Sequence, residues 1–239
     1  MREFWQSAAR SIEARTWPRK QGAFLLNPTG GLWVVANDVG EPFLGAQTSR
    51  MIVDYLAQRD LTGSFDVQVR QLRDHLQYLN RRIASDYSCP SQEPGKLLGS
   101  TVVALLADEE RAACLWAGDC RCYLWRDQQV YQLTRDHSLA RRLIERGLSA
   151  EQAARQPGAH LLTQAIGKDG PLELDVLELS LYPGDSFLLC NDELHQTLSE
   201  DELGEALRLP IPAASVDELL DRAQRARVYD TLTAIVVQR

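Results

Sequence analysis

Gly99-Ser-Thr-Val-Val-Ala-Leu-Leu-Ala-Asp-Glu-Glu-Arg-Ala-Ala-Cys-Leu-Trp-Ala-Gly-Asp-Cys-Arg-Cys-Tyr-Leu-Trp-Arg-Asp-Gln-Gln-Val-Tyr-Gln-Leu133 alternates short apolar runs with the punctuation Asp108-Glu-Glu-Arg111, Gly118-Asp119 and Arg126-Asp-Gln128. Runs of this length bounded by turn residues read as strands. Connections so short join antiparallel neighbours, because a parallel crossover needs a dozen or more residues. The stretch is therefore a meander over 100–107, 112–117, 120–125 and 129–133, and the fold contains antiparallel sheet. Working outward, further strands are expected at 23–26, 32–37, 172–179, 186–191 and 232–237, the first two joined by the turn Asn27-Pro-Thr-Gly-Gly31.

Helical spacing falls between these strand runs. Segment 46–58 carries Ile52, Val53 and Leu56, and 67–83 carries Val69, Leu72, Leu76, Leu79 and Ile83 at steps of three and four, with charged residues opposite. Shorter helices are expected at 138–146, 150–155, 200–207 and 215–227, the last two opened by Ser199-Glu-Asp-Glu202 and Ser215-Val-Asp-Glu218 in the manner of capping boxes. Helix pairs inserted between strand runs predict an α+β fold: two antiparallel sheets packed face to face, flanked by pairs of helices. Ser88-Cys-Pro-Ser-Gln-Glu-Pro-Gly95 is the one stretch that reads as a flexible loop, and with no linker elsewhere, residues 1–239 read as a single domain.

Composition narrows the function classes. With 239 residues, 44% hydrophobic, and 26 basic against 33 acidic side chains, the chain is of the folded globular class. A net charge of −7 argues against nucleic acid as the main partner, since phosphate binding needs a concentrated basic surface. No apolar run approaches the roughly 20 residues that span a bilayer, and Met1-Arg2-Glu3-Phe4-Trp5-Gln6 lacks the apolar stretch of a secretory signal, so a cytoplasmic location without membrane contact is expected. The five cysteines at 89, 114, 120, 122 and 190 lie mostly in strand-like runs and read as buried reduced thiols, with no partner set for zinc.

Carboxylates stand at the ends of several apolar strands: Asn37-Asp38, Gly118-Asp119, Asn191-Asp192 and Asp230. Converging at one sandwich edge, they would suit a hard divalent cation and phosphoryl chemistry; taken singly, aspartate at a strand end is an ordinary turn residue. Asp136-His137-Ser138 has the composition of a catalytic triad, but adjacent residues do not face one another, and it reads as a junction. His195 reads as a surface or capping residue.

In order along the chain, Gly99-Ser-Thr-Val-Val-Ala-Leu-Leu106, Ala117-Gly-Asp-Cys-Arg-Cys-Tyr-Leu124, Gln132-Leu-Thr-Arg-Asp-His-Ser138, Leu162-Thr-Gln-Ala-Ile-Gly167, Pro183-Gly-Asp-Ser-Phe-Leu-Leu-Cys-Asn-Asp192 and Asp230-Thr-Leu-Thr-Ala-Ile-Val-Val237 resemble the metal-dependent protein phosphatase family (protein phosphatase type 2C, PPM) in its compact bacterial form. The resemblance implies a β-sandwich flanked by helix pairs, and hydrolysis of serine/threonine phosphate esters at a two-metal centre. It also marks departures. The family's opening motif, Arg-x-x-Asn-(Glu/Gln)-Asp-Ala, falls on Trp17-Pro-Arg-Lys-Gln-Gly-Ala23, which puts Trp17 at the phosphate-holding Arg and Gly22 at a metal ligand. Ala-Asp-Gly-Met-Gly-Gly falls on Ala36-Asn-Asp-Val-Gly-Glu41, which puts Asn37 at the Asp that bridges both metals.

Asp192, Asp230 and Asp119 keep acidic positions, Asp38 offers a carboxylate one residue displaced, and Arg19 or Arg15 is the remaining candidate to hold phosphate. Charge count sets the binding of hard cations, so manganese or magnesium is expected to bind weakly or not at all. The favoured expectation is a pseudophosphatase or weakly active phosphatase that regulates bacterial signalling by binding a protein, such as a phosphoprotein or a kinase-pathway component. The alternative is an active serine/threonine phosphatase with a rearranged site using Asp38, Asp192 and Asp230. If the fold is kept and only ligands are lost, Gly22→Asp and Asn37→Asp, with Asp38→Gly and Trp17→Arg, are expected to return the missing groups.

Overall fold

The computed structural model describes residues 5–13, 22–40, 48–87, 99–226 and 230–239. Its elements run β1 (Gln6–Ile12), β2 (Gly22–Asn27), β3 (Leu32–Val39), α1 (Thr48–Ala57), α2 (Phe65–Tyr87), β4 (Gly99–Ala107), β5 (Arg111–Ala117), β6 (Arg121–Arg126), β7 (Gln129–Gln132), α3 (Leu139–Glu145), α4 (Ala150–Ala154), β8 (Asp175–Ser180), β9 (Ser186–Cys190), α5 (Asp192–Thr197), α6 (Glu200–Leu207), α7 (Pro212–Arg225) and β10 (Leu232–Gln238). One sheet has the order β1-β10-β9-β6-β7 and the other β2-β3-β4-β5-β8, with every pairing antiparallel. This is the α+β sandwich that the strand and helix patterns predict.

Side-chain alternation sorts the strands into layers. On β3 and β4, Val34, Ala36, Val102, Ala104 and Leu106 pack against α1 and α2 through Ile52, Leu56, Leu72 and Leu76. Trp33, Val35, Val103 and Leu105 turn the other way and meet Phe187, Leu189, Ile235 and Val237 of the second sheet. That sheet's outer face, with Leu188, Ala234 and Val236, is covered by Leu203, Leu207, Leu219 and Leu220 of α6 and α7. Both faces of each sheet are thus covered, which is why the central strands read as unbroken apolar runs. Cys114, Cys120, Cys122 and Cys190 are free and buried.

Four local features differ from expectation. Strand β1 was not expected, because Gln-Ser-Ala-Ala-Arg-Ser-Ile has little apolar alternation; it is an edge strand, formed by its pairing with β10. Helix α5 also escapes notice, being six residues long. Helix α7 begins at Pro212 rather than Ser215, since proline fits the first helical turn. Ser215 then lies inside the helix and its hydroxyl donates to the Ile211 carbonyl at 3.4 Å. By contrast, the Ser199 capping box on α6 forms as expected, with both reciprocal bonds present. The loop expected at 88–95 lies outside the described residues, as do Arg15, Trp17 and Arg19.

Candidate functional site

The strand alternation that builds the core also aims the site residues. Asn37 continues the series Trp33, Val35 and points between the sheets, where its Nδ2 donates to Asp192 Oδ1 at 2.8 Å. A carboxylate can only accept, so this geometry requires the amide to present its nitrogen. The Asn37 backbone carbonyl is held from behind by Ser100 Oγ at 3.0 Å and Thr101 Oγ1 at 3.3 Å. Asn37 is 3% exposed, and its Oδ1 has no hydrogen-bond partner among the described residues.

Asp38 continues the series Val34, Ala36 and so points at the helix layer. Its Oδ1 accepts from Thr48 Oγ1 at 2.7 Å and from the Ser49 backbone N–H at 2.6 Å, at the start of α1. The candidate ligand displaced by one residue is therefore corrected: a one-residue shift on a strand moves a side chain to the opposite face, and Asp38 serves the helix terminus. Burial raises its pKa from 3.8 to about 6, against the lowering effect of its hydrogen bonds from Thr48 and from the backbone and side chain of Ser49. The folded form thus binds more protons than the unfolded form between pH 3.8 and about 6, so stability falls as pH rises through that window. Asp38→Asn keeps an acceptor for Thr48 and Ser49 and removes the charge. It is expected to gain on the order of 2 kcal/mol at pH 8 and nothing at pH 4. Thermal melts at the two values check this; an equal shift at both removes burial of charge as the cause.

Asp192 opens α5, and Asp230 lies two residues before the start of β10. Between them lies a cross-link made by Asn191, whose Nδ2 donates to the Thr231 carbonyl at 2.6 Å and whose Oδ1 accepts from Thr233 N–H at 3.0 Å. Asp230 Oδ1 accepts from the Thr231 N–H at 2.8 Å. Asp119 sits in the β5–β6 turn, where Gly118 has φ 108°, and its carbonyl accepts from His195 Nε2 at 2.9 Å. His195 is thus buried at 8% exposure, not a surface residue, and burial and the nearby Arg121 lower its pKa. Burial pushes the Cys120 thiol up, and Asp119 and then Asp192 add to this, so both carboxylates bear on the same thiol.

The triad-like stretch serves three separate contacts. Asp136 holds Arg121 through two bonds of 2.8 and 2.7 Å. His137 Nδ1 accepts from Gly118 N–H at 3.3 Å, and Ser138 caps α3. Residues that sequence reasoning passed over are Asn191, Ser11, Thr233 and Arg50. The last lines a cleft of about 320 Å³ beside Gly22, Ser49 and Thr231.

A two-cation centre needs several anionic oxygens around one point. Here Gly22 has no side chain, Asn37 directs an N–H at Asp192, and Asp38 faces away. Among the described residues no three His, Cys, Asp or Glu side chains gather to hold a metal ion. This donor set does not fit a two-metal centre.

Comparison with known proteins places this site in a family. Residues 36–148 match the family Protein phosphatase 2C. A putative protein phosphatase 2C-type of Streptococcus pyogenes is 31% identical over 212 residues, which cover 86% of this chain and 85% of that protein. Among solved structures, PppA of Pseudomonas aeruginosa, described as a key regulatory component of T6SS, is 34% identical with a TM-score of 0.88, over 98% of this chain and 97% of that one. The catalytic domain of the serine/threonine protein phosphatase PstP in complex with two manganese ions is 25% identical with a TM-score of 0.79, over 98% and 97%. Sequence similarity and fold agree on one conclusion: the chain belongs to the protein phosphatase 2C family of metal-dependent serine/threonine phosphatases.

Proposed function

We propose that this chain is a pseudophosphatase of that family, with little or no hydrolytic activity, which regulates bacterial signalling from the cytoplasm by binding a protein partner. The observation that carries this reading is the hydrogen bond from Asn37 to Asp192. Where the family motif has a carboxylate bridging two cations, this chain has an amide that donates a hydrogen bond to the neighbouring carboxylate. Manganese or magnesium then binds weakly or not at all, because two anionic ligands are missing from the set and charge count dominates the affinity of hard cations. The active alternative loses its main support, since Asp38 is engaged at the start of α1.

The partner is a phosphoprotein or another component of a kinase pathway. The likeness to a regulatory component of T6SS supports attachment to a secretion system of that kind. Arg15 and Arg19 remain candidates to contact an anionic group on the partner, with Arg50 beside the cleft as a third. No helix among the described residues is long and apolar enough to cross a membrane.

The test is a phosphatase assay of the purified chain on a phosphothreonine peptide and on p-nitrophenyl phosphate with added manganese. Turnover is expected to stay at the level of the Asp192→Ala variant. Manganese-dependent turnover that Asp192→Ala abolishes would reject the proposal.

A further inference from the structure

Gly22 and Asn37 are direct partners in the β2–β3 register. Side chains at such opposed positions share a face of the sheet, so both positions look between the two sheets. Across from Asn37 stands Asp192, bonded to it at 2.8 Å. Across from Gly22 stands Thr233. A Cβ built on Gly22 would overlap Thr233 Oγ1 and lie 3.3 Å from Thr233 Cβ and 3.4 Å from Thr231 Cγ2. Thr233 is fully buried, and its hydroxyl is paired with Ser11 Oγ at 2.9 Å. Its rotamer is therefore held by a neighbour as well as by packing.

The resembled family's closing motif, Asp-Asn-x-Thr, falls on Asp230-Thr-Leu-Thr233 and so carries threonine here together with an acid at the position of Gly22, which means that the threonine alone does not exclude a side chain there. In this chain the Ser11–Thr233 pair keeps the hydroxyl in the space a Cβ would occupy.

We infer that the positions which hold metal in the family have become a closure made of protein alone, with the Thr233 hydroxyl, held by Ser11, filling the space of a side chain at residue 22 and Asn37 donating to Asp192. The inference rests on the proposed function and adds to it: returning the missing carboxylates does not by itself return a cation site. It revises the expectation that the lost ligands are simply reversible. It also removes Asp38→Gly from the set, because that change deletes the bonds Asp38 accepts from Thr48 and Ser49 at the start of α1.

The experiment compares the parent, Gly22→Asp/Asn37→Asp, and Gly22→Asp/Asn37→Asp/Thr233→Ala. Each is titrated with manganese chloride in a calorimeter and melted with and without manganese, after circular dichroism has confirmed folding. The triple variant is expected to bind manganese and to melt higher in its presence. The double variant is expected to bind at least about tenfold more weakly, since its restored acid at 22 cannot reach the cluster. Equal binding by the two overturns the closure, and so does failure of both to bind. If the multiple variants do not fold, Asn37→Asp alone decides. Two carboxylates then face each other without an N–H between them, so its melting temperature is expected to fall and manganese is expected not to restore it. Restoration by manganese overturns the inference. Failure of the proposed function is read separately, from manganese-dependent turnover by the parent.

Discussion

Asn191→Ala is expected to cost about 2–5 kcal/mol of stability, because it strips two buried backbone groups of their partner at once. Asn191 is fully buried and stands at the N-cap position of α5, yet its side chain makes no bond to that helix. It reaches instead across to the segment entering β10, donating to the Thr231 carbonyl and accepting from the Thr233 N–H. An alanine leaves one donor and one acceptor unpaired in a site closed to water, and each such loss costs about 1–3 kcal/mol. Asn191→Asp keeps the acceptor for Thr233 but brings a second acceptor against the Thr231 carbonyl, so it should recover only part of the loss. Urea unfolding followed by tryptophan fluorescence measures both. A loss under about 1 kcal/mol for Asn191→Ala would show that the chain relaxes and that the cross-link is dispensable.

Arg121→Ala is expected to cost about 2–4 kcal/mol, slightly below the range for a fully buried pair because the two side chains are 23% and 22% exposed. The guanidinium makes a two-pronged contact with Asp136 and a third bond, of 2.9 Å, to the Tyr123 hydroxyl. Truncation leaves the Asp136 carboxylate half-buried without its cation, which is the costly half of such a change. Arg121→Lys retains the charge but not the planar fork, so it should recover less than half of the stability. Wild-type stability in the lysine variant would mean that charge alone matters. A double-mutant cycle with Asp136→Ala isolates the pair from the Tyr123 bond.

Much of this architecture was legible because its strands are buried on both faces and its turns are strongly marked. Asp108-Glu-Glu-Arg111 forms the expected hairpin, with Asp108 Oδ1 accepting from the backbone of Glu110 and Arg111. The Ser199 capping box is equally local and was equally readable. Strand β1 was not, since its status comes from pairing with a strand more than two hundred residues away in sequence. The same distinction runs through the site. That Gly22 and Asn37 stand where the resembled family's motifs carry ligands is visible from motif order, whereas it took the structure to show that Asp38 points elsewhere. The contacts that fill the place of those ligands were invisible. Asn37 meets Asp192 across 155 positions and Ser11 meets Thr233 across 222, and no local pattern encodes a pairing of that range. His195 shows the same limit: its burial depends on the Asp119 turn, 76 residues earlier.

The packing of Gly22 under the Thr233 hydroxyl also bears on how a lineage carrying this chain drifts. A residue that lost its ligand role would ordinarily wander among many side chains, since nothing would select for any one of them. At this position the neighbours have closed, so every residue larger than glycine must push a buried threonine off its partner. Glycine is then retained by stability alone, with no reference to what the protein does. A change to aspartate there meets a packing penalty at the Thr233 hydroxyl, and a change at Thr233 or Ser11 would have to come first to relieve it. Invariance at such a position in descendants of this chain would record a packing constraint and should not be taken as the mark of an active site.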